Sequence, residues 1–279
     1  MGTAPGPRIG PMHPRDATAL QAAQRLPRSF VVVDGRRLAY VRLGEGAQPI
    51  VFLSGAGMDI DSWFKVLPGV AAFGAVVAVD RLGVGKSDRP TTPQTGGVIV
   101  AAIRSLLTQS DVAPPYVLVG HSLGGLHVEL FARLHPDDVA GVVLVEAASP
   151  EEAMDPLRPG LAARAIGSAG GAIDRLRGRP RGLDEVANVA ETVRQIRTAP
   201  PFPDVPLVVV TGGKRMRMVP DAAFANHQDA QRKRAALAPR GRQIIAESSG
   251  HFPQLHDPEV VTVAIRDVVE HVGRAAPSR

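Results

Sequence analysis

The chain has 279 residues and a mass of 29.3 kDa, with 44% hydrophobic and 21% charged residues, which excludes a disordered or fibrous protein and leaves room for a sizeable core. It has no cysteine, so a disulfide framework, a thiolate nucleophile and a Cys-based metal site are excluded, and any covalent catalysis must use oxygen or nitrogen. The net charge is +5, and residues 158–217 carry eleven basic against five acidic side chains with one aromatic, Phe202; the stretch reads as a solvated charged face or an anion contact, not as a base-stacking nucleic-acid surface.

In chain order, residues 1–28 hold five prolines and little apolar periodicity, which predicts a loose N-terminal arm with a short helix in its second half. No apolar h-region follows a basic start, and no run reaches the roughly 18 apolar residues of a spanning helix. The expected location is cytoplasmic, with no membrane partner. Two β-rich runs then meet at Asp34-Gly35, the dipeptide that suits a tight type I′ hairpin.

After the hairpin the pattern changes to short unbroken apolar runs: Ile50–Leu53, Ala75–Val79, Tyr116–Val119, Val142–Val145, Leu207–Val210 and Ile244–Ala246. Strands buried on both faces read this way. Segments of helical length, such as Thr95–Gln109 and Leu126–Leu134, separate most of them, so the fold class is α/β, with a mostly parallel sheet and helices on both faces. The connection from Val145 to Leu207 is too long for a simple crossover. In it, Leu183, Val186, Val189, Val193 and Ile196 recur at helical spacing, which predicts a helical cap over 150–204 inserted into a core of 29–149 and 205–279.

The chemistry starts at Gly120-His121-Ser122-Leu123-Gly124-Gly125, a G-x-S-x-G pattern directly after an apolar strand and directly before a helix-like stretch ended by Pro136. At such an elbow a serine is held strained at the carboxyl end of the sheet, near a helix N-terminus that favours developing negative charge. Gly85-Lys86-Ser87 superficially matches the end of a phosphate-binding loop, but Asp80 stands where that loop needs its first glycine, so nucleotide binding is not expected. No histidine spacing suits a metal, and neither metal nor cofactor is expected.

With Asp80-Arg81-Leu82-Gly83-Val84-Gly85-Lys86-Ser87-Asp88 and Ser249-Gly250-His251-Phe252-Pro253 in the same order, the chain resembles the α/β-hydrolase superfamily from about Ser29 to about His271. The nearest group is that of small cap-bearing esterases, haloperoxidase-like enzymes and haloalkane dehalogenases. The resemblance implies Ser122 as nucleophile, His251 as general base, and an oxyanion hole made by the Leu123 amide and, by position, the Ala56 amide. Ser54 occupies the place of the family's usual histidine in Leu53-Ser54-Gly55-Ala56-Gly57, and Trp63 reads as a packing anchor. The family's commonest acid position, in a G-x-x-D turn after the seventh strand, holds Arg215 here; Glu146, at the end of the sixth strand, is the expected triad acid, and Asp221 is its rival at a helix start. The implied activity is cofactor-free hydrolysis of a carboxylic ester, lactone or thioester of a small to medium, largely apolar substrate. A serine nucleophile disfavours dehalogenase and epoxide-hydrolase chemistry. A non-hydrolytic biosynthetic enzyme or a ligand-binding receptor on the same fold is the alternative, and self-association is left open.

Overall fold

The structure is a computed structural model that describes residues 14–154, 183–215 and 219–275. In chain order the elements are α1 (Pro14–Gln24), β1 (Ser29–Val33), β2 (Arg36–Leu43), β3 (Pro49–Leu53), α2 (Leu67–Ala71), β4 (Ala75–Val79), α3 (Gly96–Gln109), β5 (Tyr116–His121), α4 (Leu123–Leu134), β6 (Val139–Val145), α5 (Pro150–Ala153), α6 (Val189–Thr198), β7 (Leu207–Gly212), α7 (Asp221–Ala235), β8 (Arg242–Ala246), α8 (Pro253–His256) and α9 (Pro258–Ala275). The strands form one sheet in the order β1-β2-β4-β3-β5-β6-β7-β8. The β1–β2 and β2–β4 pairs are antiparallel and the other pairs parallel, in line with the hairpin and the mostly parallel sheet expected. Val33 faces Arg36 across a two-residue loop in which Asp34 and Gly35 take φ of 50° and 72°, the positive pair that a type I′ turn requires.

Alternate residues of each central strand feed two cores. On one face Val51, Leu53, Leu118 and Leu144 pack with Ile103, Leu106, Leu126 and Leu130 of α3 and α4. On the other, Ile50, Phe52, Val117 and Val143 pack with Trp63, Leu67 of α2 and Val261, Ile265 and Val268 of α9. Burial on both faces explains why these strands read as continuous apolar runs.

Two expectations change in part. The N-terminal arm contains the short helix expected of it, α1, but is tied to the body: Lys65 Nζ lies 2.7 Å from Asp16 Oδ2, Arg28 pairs with Asp61, and Ala23 is buried. Residues 1–13 lie outside the described residues. In the cap, residues 155–182 also lie outside them, and the helix predicted from Leu183 starts only at Val189. Asp184 Oδ1 accepts from the Ala187 amide at 2.9 Å, a local turn that competes with helix. Helix α6 is anchored on α3, where Thr192 Oγ1 and Gln195 Oε1 each accept a first-turn amide, from Gly96 and Gly97, at 2.8 Å. Among the described residues no helix is long and apolar enough to cross a membrane.

Candidate active site

Ser122 directly follows β5 and serves as the N-cap of α4, with φ 50° and ψ −121°. The turn tolerates no side chain at its glycines: a Cβ on Gly120 would lie 2.8 Å from the Gly124 carbonyl oxygen, and one on Gly124 would lie 2.4 Å from that of Leu53. This close approach is the physical content of the G-x-S-x-G spacing. The Ser122 hydroxyl caps no α4 amide, so it is not consumed in holding the helix. The Ser122 amide donates to Val145 O at 3.2 Å, which places the serine against the end of β6.

Glu146 is the first residue beyond β6, at φ 44° and 5% exposed. Its Oε1 accepts the Gly212 amide at 2.7 Å and its Oε2 lies 3.2 Å from His251 Nδ1. Both oxygens also face His227 Nε2, at 3.1 and 3.2 Å. Burial raises the Glu146 pKa, but the hydrogen bonds and positive charge of His227 and His251 outweigh it and hold the carboxyl at about 2. His227 in turn has Nδ1 2.8 Å from Glu152 Oε1. Desolvation lowers its pKa, yet hydrogen bonds to the two carboxylates, then their charges, push it up to about 10. The two shifts run in opposite directions, each favouring the charged form of its group.

His251 lies on the loop between β8 and α8, with its ring 5.1 Å from that of His121 and 5.0 Å from that of Phe252. Burial, then the neighbouring His251, lowers the His121 pKa to about 3, so His121 is neutral and donates through Nε2 to the His251 carbonyl at 2.9 Å. This contact links the elbow to the histidine loop. His251 Nε2 is buried and has no hydrogen-bond partner among the described residues.

Ala56 and Leu123 are both buried, and Leu123 opens α4 directly after Ser122. The Gly55–Gly57 loop is held by a buried ion pair. Arg81 Nη2 donates to Gly55 O at 2.8 Å and to Glu185 Oε1 at 2.9 Å, while Glu185 Oε1 accepts the Gly57 amide at 3.1 Å. Ser54, in place of the family's usual histidine, accepts from Trp63 Nε1 at 2.9 Å and donates to Asp59 O at 3.0 Å. Trp63 is fully buried, in edge contact with Phe52, and is a packing residue.

The structure brings Ser122, Glu146 and His251 to one edge of the sheet and leaves Asp221 outside. Asp221 opens α7, its carboxylate is 90% exposed, and it pairs with Arg215 at 2.7 Å instead of capping amides. The loop after Asp80 is structural: the Asp80 carboxylate accepts the Ile60 and Lys86 amides at 2.9 Å, and no helix follows Ser87 before Gly96. Sequence reasoning missed His227 and Glu152. No local spacing marks them, because their partners lie 75 and 81 residues apart in the chain.

The sequence pattern that defines the Alpha/beta hydrolase family matches residues 50–264. The chain belongs to the alpha/beta hydrolase family. It is 26% identical over 232 residues to the uncharacterized protein YqjL of Bacillus subtilis, covering 81% of this chain and 85% of YqjL. It is 32% identical over 124 residues to a haloalkane dehalogenase of Sphingobium indicum, a match spanning 43% of this chain and 42% of the dehalogenase. In three dimensions this alpha/beta hydrolase superposes on the enol-lactonase of Burkholderia xenovorans LB400 with a TM-score of 0.61 at 20% identity, over 87% of this chain and all of the other; at that identity the likeness is one of fold. Membership supports hydrolytic chemistry in the broad sense of the family.

Proposed function

We propose that this alpha/beta hydrolase cleaves a carboxylic ester, or a related lactone or thioester, through an acyl-enzyme on Ser122. The observation that carries the reading is the Glu146 Oε2 to His251 Nδ1 contact at 3.2 Å, which leaves the buried Nε2 without a partner at the sheet edge where Ser122 stands. In the first half-reaction His251 Nε2 takes the Ser122 proton as Oγ attacks the carbonyl carbon, and the imidazolium is stabilised by the ionised Glu146. The tetrahedral oxyanion is received by the Ala56 and Leu123 amides and by the N-terminus of α4. Collapse expels the alcohol with the proton from His251. Water then gives its proton to His251, attacks the acyl carbon and releases the acid, restoring Ser122. The dehalogenase relative does not redirect this reading, because the elbow nucleophile here is a serine hydroxyl and not a carboxylate.

The test is intact-mass measurement after a fluorophosphonate serine probe, together with turnover of p-nitrophenyl esters of increasing chain length. A single adduct on the unmodified protein is expected. The Ser122→Ala variant should lose the adduct and at least ~10³ in kcat, since only the oxyanion hole and binding remain. Labelling that survives in the variant would place the nucleophile elsewhere.

A further inference from the structure

A buried carboxylate that serves a general base meets a difficulty at rest. His251 must be neutral before it can take the Ser122 proton, so for half of the cycle it offers Glu146 no compensating charge. An isolated carboxylate so buried would take up a proton and lose its use. The Gly212 amide, 2.7 Å from Oε1, supplies one dipole. His227 supplies a charge: its Nε2 lies against both oxygens of Glu146, and its Nδ1 is 2.8 Å from Glu152 Oε1, so both ring nitrogens face carboxylates and donate as an imidazolium.

The placement of His227 is built, not incidental. Helix α7 buries little apolar surface; its buried side chains are Gln231, Arg234 and Ala235. It docks through polar contacts to the strand ends that carry the site. Gln228 Nε2 donates to Gly212 O at 2.8 Å, and Gln231 Nε2 donates to Ala147 O at 2.8 Å. Residues 227, 228 and 231 lie on one face of the helix, at i, i+1 and i+4, and all three reach the carboxyl ends of β6 and β7.

We propose that His227 and Glu152 are positioning residues that keep Glu146 ionised and shared between two imidazoles through the whole catalytic cycle. The proposal rests on the reading of Ser122, Glu146 and His251 given above. Its electrostatic sense is definite. The described groups that face His227 are Glu146 on the end of β6 and Glu152 on α5; those that face His251 are Glu146 and the neutral His121. A positive charge at 227 competes for the Glu146 anion and weakens its hold on the His251 proton. Glu152 offsets part of that effect. Removing His227 should therefore move the acid limb of kcat/KM to higher pH, whereas removing the Glu152 charge, with Glu146 still holding the His227 proton, should do the opposite.

Two measurements test this. The first needs no variant and no turnover: the imidazole 15N shifts of His227 in the unmodified protein should show both nitrogens protonated at pH 8, and a neutral ring there would overturn the proposal. The second is the acid limb of kcat/KM against pH on a p-nitrophenyl ester. His227→Gln should move the limb up by about one pH unit, Glu152→Gln should move it down, and the double variant, which removes one charge of each sign, should lie between them. Coincident limbs in all four proteins, with circular dichroism showing them folded, would reduce His227 to packing and sink the proposal. Absence of the fluorophosphonate adduct on Ser122 would instead overturn the acyl-enzyme reading, and the 15N measurement would still decide the ionic state of His227.

Discussion

Replacing Glu185 with glutamine isolates the clamp under the Gly55–Gly57 loop. The Arg81 and Glu185 side chains are 2% and 6% exposed, so the pair is out of water, and the variant strands a guanidinium that can no longer be hydrated. Removing one partner of such a pair costs about 3–5 kcal/mol. Taking the lower figure and about 2–4 °C per kcal/mol for a chain of this size, the melting temperature should fall by roughly 6–12 °C. Glutamine can still accept the Gly57 amide but pulls less on Arg81, whose Nη2 fixes Gly55 O, so kcat should drop by about tenfold, less than the ~10²–10³ of losing an oxyanion donor outright. Scanning calorimetry and ester turnover measure the two effects. The double change Arg81→Met, Glu185→Leu should recover most of the melting temperature while kcat stays low, because no buried charge is stranded but the loop has lost both anchors. A single variant that melts within about 1 °C of the unmodified protein and turns over normally would refute the clamp.

Glu146→Gln should cost about 10² or more in kcat by releasing the His251 tautomer, whereas Asp221→Asn, at an exposed surface pair, should cost less than about tenfold; the reverse ranking in folded variants would move the acid to Asp221. Melting temperature against pH should fall in two windows. The Glu146 contribution is fully present above its ordinary value of 4.5 and is lost as pH falls from there toward about 2. The His227 contribution is present below 6.5 and is lost as pH rises through about 10, and the His227→Gln variant should lack this upper window. A flat profile from pH 6.5 to 10 in the unmodified protein would contradict the ionic pair.

The central strands were legible because burial on both faces leaves a direct mark in sequence, and the elbow was legible because Gly120 is demanded by backbone contact with Gly124, four residues on. Helix α3 falls on the segment of helical length Thr95–Gln109, and in the structure Thr95 caps it, its Oγ1 accepting the Val98 amide at 3.4 Å. What the sequence concealed depends on distant partners. Glu185 sits in a stretch with helical periodicity, yet its carboxylate is taken by Arg81, 104 residues away, and the helix begins later. Ser54 looked like the loss of a supporting histidine, but Trp63 and Asp59 hold that oxygen from within the same loop region. His227 carries no mark in the sequence and is set apart only by α7, which lies across the ends of β6 and β7.

Two residues at adjacent strand ends, Ser122 and Glu146, both carry positive φ with a side chain attached, at 50° and 44°. Such conformations cost about 1–3 kcal/mol each for a residue with a Cβ. Glycine would relieve that cost at either position, offset in part by its greater freedom in the unfolded chain. Stability and chemistry thus pull in opposite directions at Ser122, whereas at Glu146 the contacts with His227 and the Gly212 amide offset the strain. A screen that selected variants of this protein for heat resistance alone should accept Ser122→Gly readily and return a sturdier chain with no nucleophile. Thermostabilising substitutions for this scaffold should therefore be sought away from the carboxyl ends of β5 and β6.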